Sequence, residues 1–126
     1  MKKINLKHIH SLNEEAIRGL DFYQEELRIL QGRLDEVAKA NYNKEANMKM
    51  EYFQDQIIIQ RDNINELRHD IRRHLSIIKE QLEQSGDYIS DSADMEEPIL
   101  YDKYLELEKS INALRHEFNR FAAEWL

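Results

Sequence analysis

The stretch LYDKYLELEKSINALRHEFNRFAAEW, residues 100–125, decides the fold. Leu100, Tyr104, Leu107, Ile111, Leu114, Phe118, Phe121 and Trp125 recur along it at alternating steps of four and three. Steps of that size return to one face of a helix with about 3.6 residues per turn, so the repeat marks a helix burying one stripe against other helices.

Working back from it, two earlier stretches carry the same kind of stripe. One runs through Leu12, Ala16, Leu20, Tyr23, Leu27, Leu30, Leu34 and Val37, the other through Ala46, Met50, Phe53, Ile57, Ile64, Leu67, Ile71, Leu75, Ile78 and Leu82. Ser11-Leu12-Asn13-Glu14 has the capping-box spacing and predicts the start of the first helix. Gly19 and Gly32 lie inside its pattern, each costing about 1 kcal/mol relative to alanine. Continuing the first stripe from Val37 would place Asn41 and Lys44 in the core. The next stripe resumes two residues out of phase, so Asn41-Tyr42-Asn43-Lys44 reads as a turn, with one unbroken helix as the rival. Ser85-Gly86 closes the second helix. Residues 84–102 carry six acids and no Lys or Arg, which predicts an acidic loop. Pro98 suits the first turn of the third helix, with Asp94 to Glu97 at the positive end of its dipole.

The expected fold is therefore all-α: an antiparallel up-down-up three-helix bundle of long, coiled-coil-like helices. Its helices cover about residues 11–41, 45–84 and 97–125, with the acidic loop at 85–96 and a basic N-terminal arm, residues 1–10, carrying Lys2, Lys3 and Lys7. Matching levels across the turns sets Ile57, Ile58 and Ile59 near Leu30 and near Phe121 and Trp125.

The 126 residues fit one domain, and a hydrophobic share of 41% supplies a narrow core. A net charge of −7 argues against nucleic acid as a partner, since phosphate contacts need clustered Lys and Arg. No window approaches the roughly 18 apolar residues of a membrane span, and Met1 to Leu12 lacks a signal-peptide core. The chain has no cysteine, so disulfide and thiolate chemistry are out. These features fit a soluble, cytoplasmic protein. The Asn-, Ile- and Lys-rich composition is compatible with many bacterial proteins and identifies none.

Chemistry-bearing side chains are few. Gln60 and His74 fall where the stripe of the second helix calls for apolar residues. They are either a buried polar pair open to ligand or proton chemistry or, more in keeping with a seam, selectors of register. His74 can also lean outward with Leu75 taking the core position. Glu66 and His69 have the Glu-x-x-His spacing of di-iron bundles, but the sequence holds no second copy, and Leu67 on the seam turns both toward solvent. Arg68, Arg72 and Arg73 make a small basic patch diluted by Glu66 and Asp70. No Gly-rich phosphate loop, triad order or calcium loop is present.

The function expected from these features is non-enzymatic, without cofactor: a helical interaction protein, self-associating as a homodimer or docking on another helical protein. The candidate contact residues are Phe22, Ile29, Ile58, Ile59 and Tyr101, apolar but beside the stripes. The alternative is a small divalent-metal-binding protein using His8, His10, His74 and loop carboxylates at one end of the bundle.

Overall fold

Helix α1 (Leu6–Ala40) ends before the paired asparagines, and Asn43 starts helix α2 (Lys44–Ser85). The Asn43 side-chain oxygen accepts from the backbone N–H groups of Glu45 at 2.8 Å and Ala46 at 3.4 Å, an N-cap for two orphan donors of the first turn. Helix α3 (Asp91–Trp125) follows, with Pro98 in its interior. Strands β1 (Lys2–Lys3) and β2 (Tyr88–Ile89) pair antiparallel, Lys2 opposite Ile89 and Lys3 opposite Tyr88. The computed structural model describes residues 2–3, 6–40, 43–85, 88–89 and 91–125.

The chain forms two units, each a bundle of three helical segments. Unit 1 joins Met1–Asp21 to Asn65–Glu106, and unit 2 joins Phe22–Ile64 to Leu107–Leu126. Contacts inside each unit fix the helix directions. In unit 1, Ile9 and Asp21 of α1 meet Ile78 and Arg68 of α2, while Asn13 and Glu15 meet Glu97 and Tyr101 of α3. In unit 2, Gln31 meets Gln54, Tyr23 and Arg33 meet Asn112 and Asn119, and Lys49 and Tyr52 of α2 meet Glu124 and Glu117 of α3. Rising numbers on α1 thus meet falling numbers on α2 and rising numbers on α3: up, down, up.

The stripes are the core. In unit 1, Ile9, Ala16 and Leu20 are buried with Leu67, Ile71, Ile78, Leu100 and Tyr104. In unit 2, Leu27, Leu30 and Leu34 are buried with Phe53, Ile57, Ile64, Ile111 and Phe118. Phe53 meets Phe118 edge-on at 5.4 Å and Phe121 at 5.1 Å, and the Arg33 guanidinium lies 5.0 Å from the Phe118 ring centre. Such ring contacts add about 0.5–1.5 kcal/mol each beyond the area they bury.

Three expectations are corrected. First, the basic arm over residues 1–10 is shorter: Lys2–Lys3 is a strand and α1 begins at Leu6, five residues ahead of Ser11. The reason is Ile9, buried against Ile78 with Ile77 and Leu82 packed on the pair, which extends the apolar stripe by a turn. Second, the acidic loop 85–96 is mostly helix and strand, because α3 starts at Asp91 and carries Pro98 well inside it. Third, that early start shifts the register between α2 and α3. Phe53, rather than the isoleucine triplet, meets Phe121, and Lys49 reaches Glu124 at 3.6 Å.

Candidate functional site

A polar layer crosses the core of unit 1, one residue from each helix. Asn13 of α1, His74 of α2 and Glu97 of α3 are 2%, 0% and 6% exposed. Asn13 Nδ2 donates to Glu97 Oε2 at 2.9 Å and to the carbonyl of Ile9 at 3.0 Å. His74 Nδ1 stands 3.1 Å from the same Glu97 oxygen. One carboxylate oxygen therefore gathers the side chains of both other helices. Ile9 and Ile78 lie one turn away on their helices and close one side with apolar surface.

The three residues share a sequence signal. Extending each buried stripe by its own alternation gives Ile9, Asn13, Ala16, Leu20 on α1, Ile71, His74, Ile78 on α2, and Glu97, Leu100, Tyr104 on α3. His74 takes the seam position and Leu75 is half-buried beside it. Asn13 and Glu97 were hidden by local readings, Asn13 as part of a capping box and Glu97 as dipole decoration. Asn13 is instead mid-helix, its amide bonded back to the carbonyl four residues earlier. Gln60 occupies the equivalent seam position in unit 2; it is buried, and among the described residues its Oε1 has no hydrogen-bond partner.

Around the layer, charged neighbours pair with one another. Arg73 of α2 reaches Glu96 of α3 at 3.0 Å, and Arg68 reaches Asp21 at 2.7 Å. Two arginines of the expected basic patch are thereby engaged. Glu66 and His69 are exposed, and His69 lies 3.6 Å from Asp70.

In unit 2, apolar side chains stand outside the seams. Phe22 and Ile29, seven apart on α1, are exposed, as are Met48, Tyr52, Ile58 and Ile59 on α2. Met48, Tyr52 and Ile59 follow steps of four and seven and so share one flank of α2, while Ile58 points about 100° away from Ile59. Beside that flank is a shallow depression of about 270 Å³ lined by Lys49, Tyr52, Phe53, Glu117, Arg120, Phe121 and Glu124. The Tyr52 hydroxyl donates to Glu117 at 3.1 Å. Desolvation of its ring, then the Glu117 carboxylate, pushes the Tyr52 phenol above the ordinary tyrosine range.

The remaining candidates separate. Tyr101 is half-buried in unit 1, its ring 6.0 Å from Tyr104 and its hydroxyl 3.4 Å from Glu15. The side chains of His8 and His10, and the loop acids Asp87, Asp91 and Asp94, lie outside the described side chains. Among the described residues, no group of three or more His, Cys, Asp or Glu is placed to hold a metal ion. Among the same residues, no helix is long and apolar enough to cross a membrane. No family model, curated protein or solved structure matches the chain.

Proposed function

We propose that the chain acts through protein–protein contact rather than catalysis, pairing with a second copy of itself along the α2 flank of unit 2. The observation that carries this reading is the second apolar stripe, Met48, Tyr52 and Ile59, on a helix whose first stripe is already buried. A helix with two apolar flanks is wider than its own bundle needs. Lys49 and Arg120 beside Glu117 and Glu124 give the adjoining depression both signs of charge, which suits a rim that sets register between like surfaces. Phe22, Ile29 and Ile58 lie at other helix angles and extend the apolar surface available to a partner.

The test is solution mass by size-exclusion chromatography with light scattering, over a wide concentration range, for the native chain and for Tyr52→Glu with Ile59→Glu. The native chain should associate as concentration rises, and the double variant should stay monomeric with unchanged helicity. A native chain that remains monomeric throughout, or a variant that still pairs, overturns the reading.

A further inference from the structure

We infer that two copies stack the α2–α3 faces of unit 2 about a two-fold axis running across the helices, and that Arg120 of each copy selects this arrangement by pairing with Glu117 of the other. This geometry rests on the self-pairing proposed above. Two observations on different helices meet at one level. On α2 the apolar stripe runs from Met48 through Tyr52 to Ile59, so its midpoint falls at residues 53–54. On α3 the same level falls between Glu117 and Arg120. Phe53 lies 5.4 Å from Phe118 and 5.1 Å from Phe121, and the Tyr52 hydroxyl reaches Glu117. The charges lining the depression there are unevenly used. Lys49 and Glu124 stand 3.6 Å apart, and Glu117 takes the Tyr52 hydroxyl on Oε2. Arg120 is exposed and makes no ion pair among the described residues.

Two like faces, each built from α2 and α3, stack about a two-fold axis in two ways. An axis along the helices lays α2 of one copy over α3 of the other at the same level. The stripe of Met48, Tyr52 and Ile59 would then cover Glu117 and Glu124, burying carboxylates under apolar side chains. An axis across the helices lays α2 on α2 and α3 on α3, both antiparallel. Met48 then meets Ile59 of the second copy, and the two Tyr52 rings flank the axis. On α3, Glu117 and Arg120 stand on opposite sides of the axis, so each meets its opposite charge in the other copy, twice per dimer. Only this second arrangement sets apolar against apolar and gives Arg120 its anion. Asp55 is exposed and turned about 40° round α2 from Ile59, toward the edge away from α3, where it keeps its water.

The experiment combines solution mass over a wide concentration range with cysteine cross-linking, for which the chain offers a cysteine-free background. Arg120→Glu sets like charges together at two places in the dimer and should weaken association on the order of tenfold at low salt. Arg120→Glu with Glu117→Arg exchanges the two charges and should recover it. Arg120→Glu with Glu36→Arg carries the same net charge, with the new cation on α1, and should not. Met48→Cys and Ile59→Cys, each oxidised alone, should stay uncrosslinked, because like positions lie about 16 Å apart along antiparallel helices, beyond disulfide reach. Mixed, the two variants should form a disulfide between copies. A native dimer indifferent to Arg120→Glu, an exchanged pair that recovers nothing, or a cysteine variant that cross-links to itself overturns this geometry and leaves the self-pairing standing. A native chain that is monomeric throughout removes the self-pairing, and the geometry with it.

Discussion

The ring of Tyr104 fills the space beside the α-carbon of Gly19 that any other residue would use for its β-carbon. A Cβ built at position 19 meets the Tyr104 hydroxyl and lies 2.5 Å from its Cζ. Tyr104 is itself buried, so the ring cannot simply swing away. Gly19 is thus the hole for a knob from α3, and what reads in sequence as a weak point of the helix is a packing requirement. Gly32 has nothing within 4 Å of the same construction.

The two glycines should respond to alanine in opposite directions. Gly32→Ala should raise stability by about 1 kcal/mol, the helix-propensity difference alone. Gly19→Ala should lower it by about 1–3 kcal/mol, because overpacking outweighs that gain. Urea unfolding of both variants decides, and Gly19→Ala combined with Tyr104→Leu should recover part of the loss. Equal stabilisation by both alanines would show that Tyr104 does not need the hole.

Gln60 is the second seam position occupied by a polar side chain on α2. Its Oε1 is buried with no hydrogen-bond partner among the described residues, and an orphaned acceptor costs about 1–3 kcal/mol. Gln60→Leu removes that atom at nearly constant volume and should raise the urea midpoint by a corresponding amount. A drop in stability would mean that the amide makes a contribution larger than its unpaired oxygen costs.

Asn43, in the paired-asparagine turn, caps α2 through two backbone donors. Asn43→Ala should cost about 1 kcal/mol, while Asn43→Ser should cost only a few tenths. Thermal unfolding of the two variants side by side gives the answer. Indistinguishable melting temperatures would remove the cap from the account of why α2 starts where it does.

Tyr23 predicts the alkaline limit of unit 2. Burial of its ring, reinforced by the Glu108 carboxylate, raises its phenol above the ordinary value of 10.0. The Asn112 amide at 3.3 Å and the Arg115 charge act the other way and are outweighed. Above about pH 10 the unfolded chain gives up this proton while the folded chain keeps it, so stability falls as pH rises through that range. Tyr23→Phe should flatten the decline, measured as the pH dependence of the urea midpoint between about pH 9 and 11. An unchanged slope would place the alkaline loss in other groups.

The legible part of this protein is what a single helix records about itself. Period, phase and breakpoints are local, so Leu100 to Trp125 betrays its helix, the two-residue phase jump betrays the break after Ala40, and His74 and Gln60 stand out as polar residues on an apolar seam. The helix starts were harder, because Ser11-Leu12-Asn13-Glu14 and Pro98 satisfy local start rules that packing of Ile9 on Ile78 and the early start at Asp91 override.

What the sequence determined by itself is therefore three amphipathic helices and their order, since each apolar stripe follows from covalent geometry and the backbone's hydrogen bonding. Tertiary structure alone decided which positions face one another across helices. That Asn13, His74 and Glu97 converge on one oxygen, and that Tyr104 fits beside Gly19, depends on axial register between segments far apart in the chain. Register is a sum over many contacts, and a shift of one turn leaves every local pattern satisfied while replacing every partner.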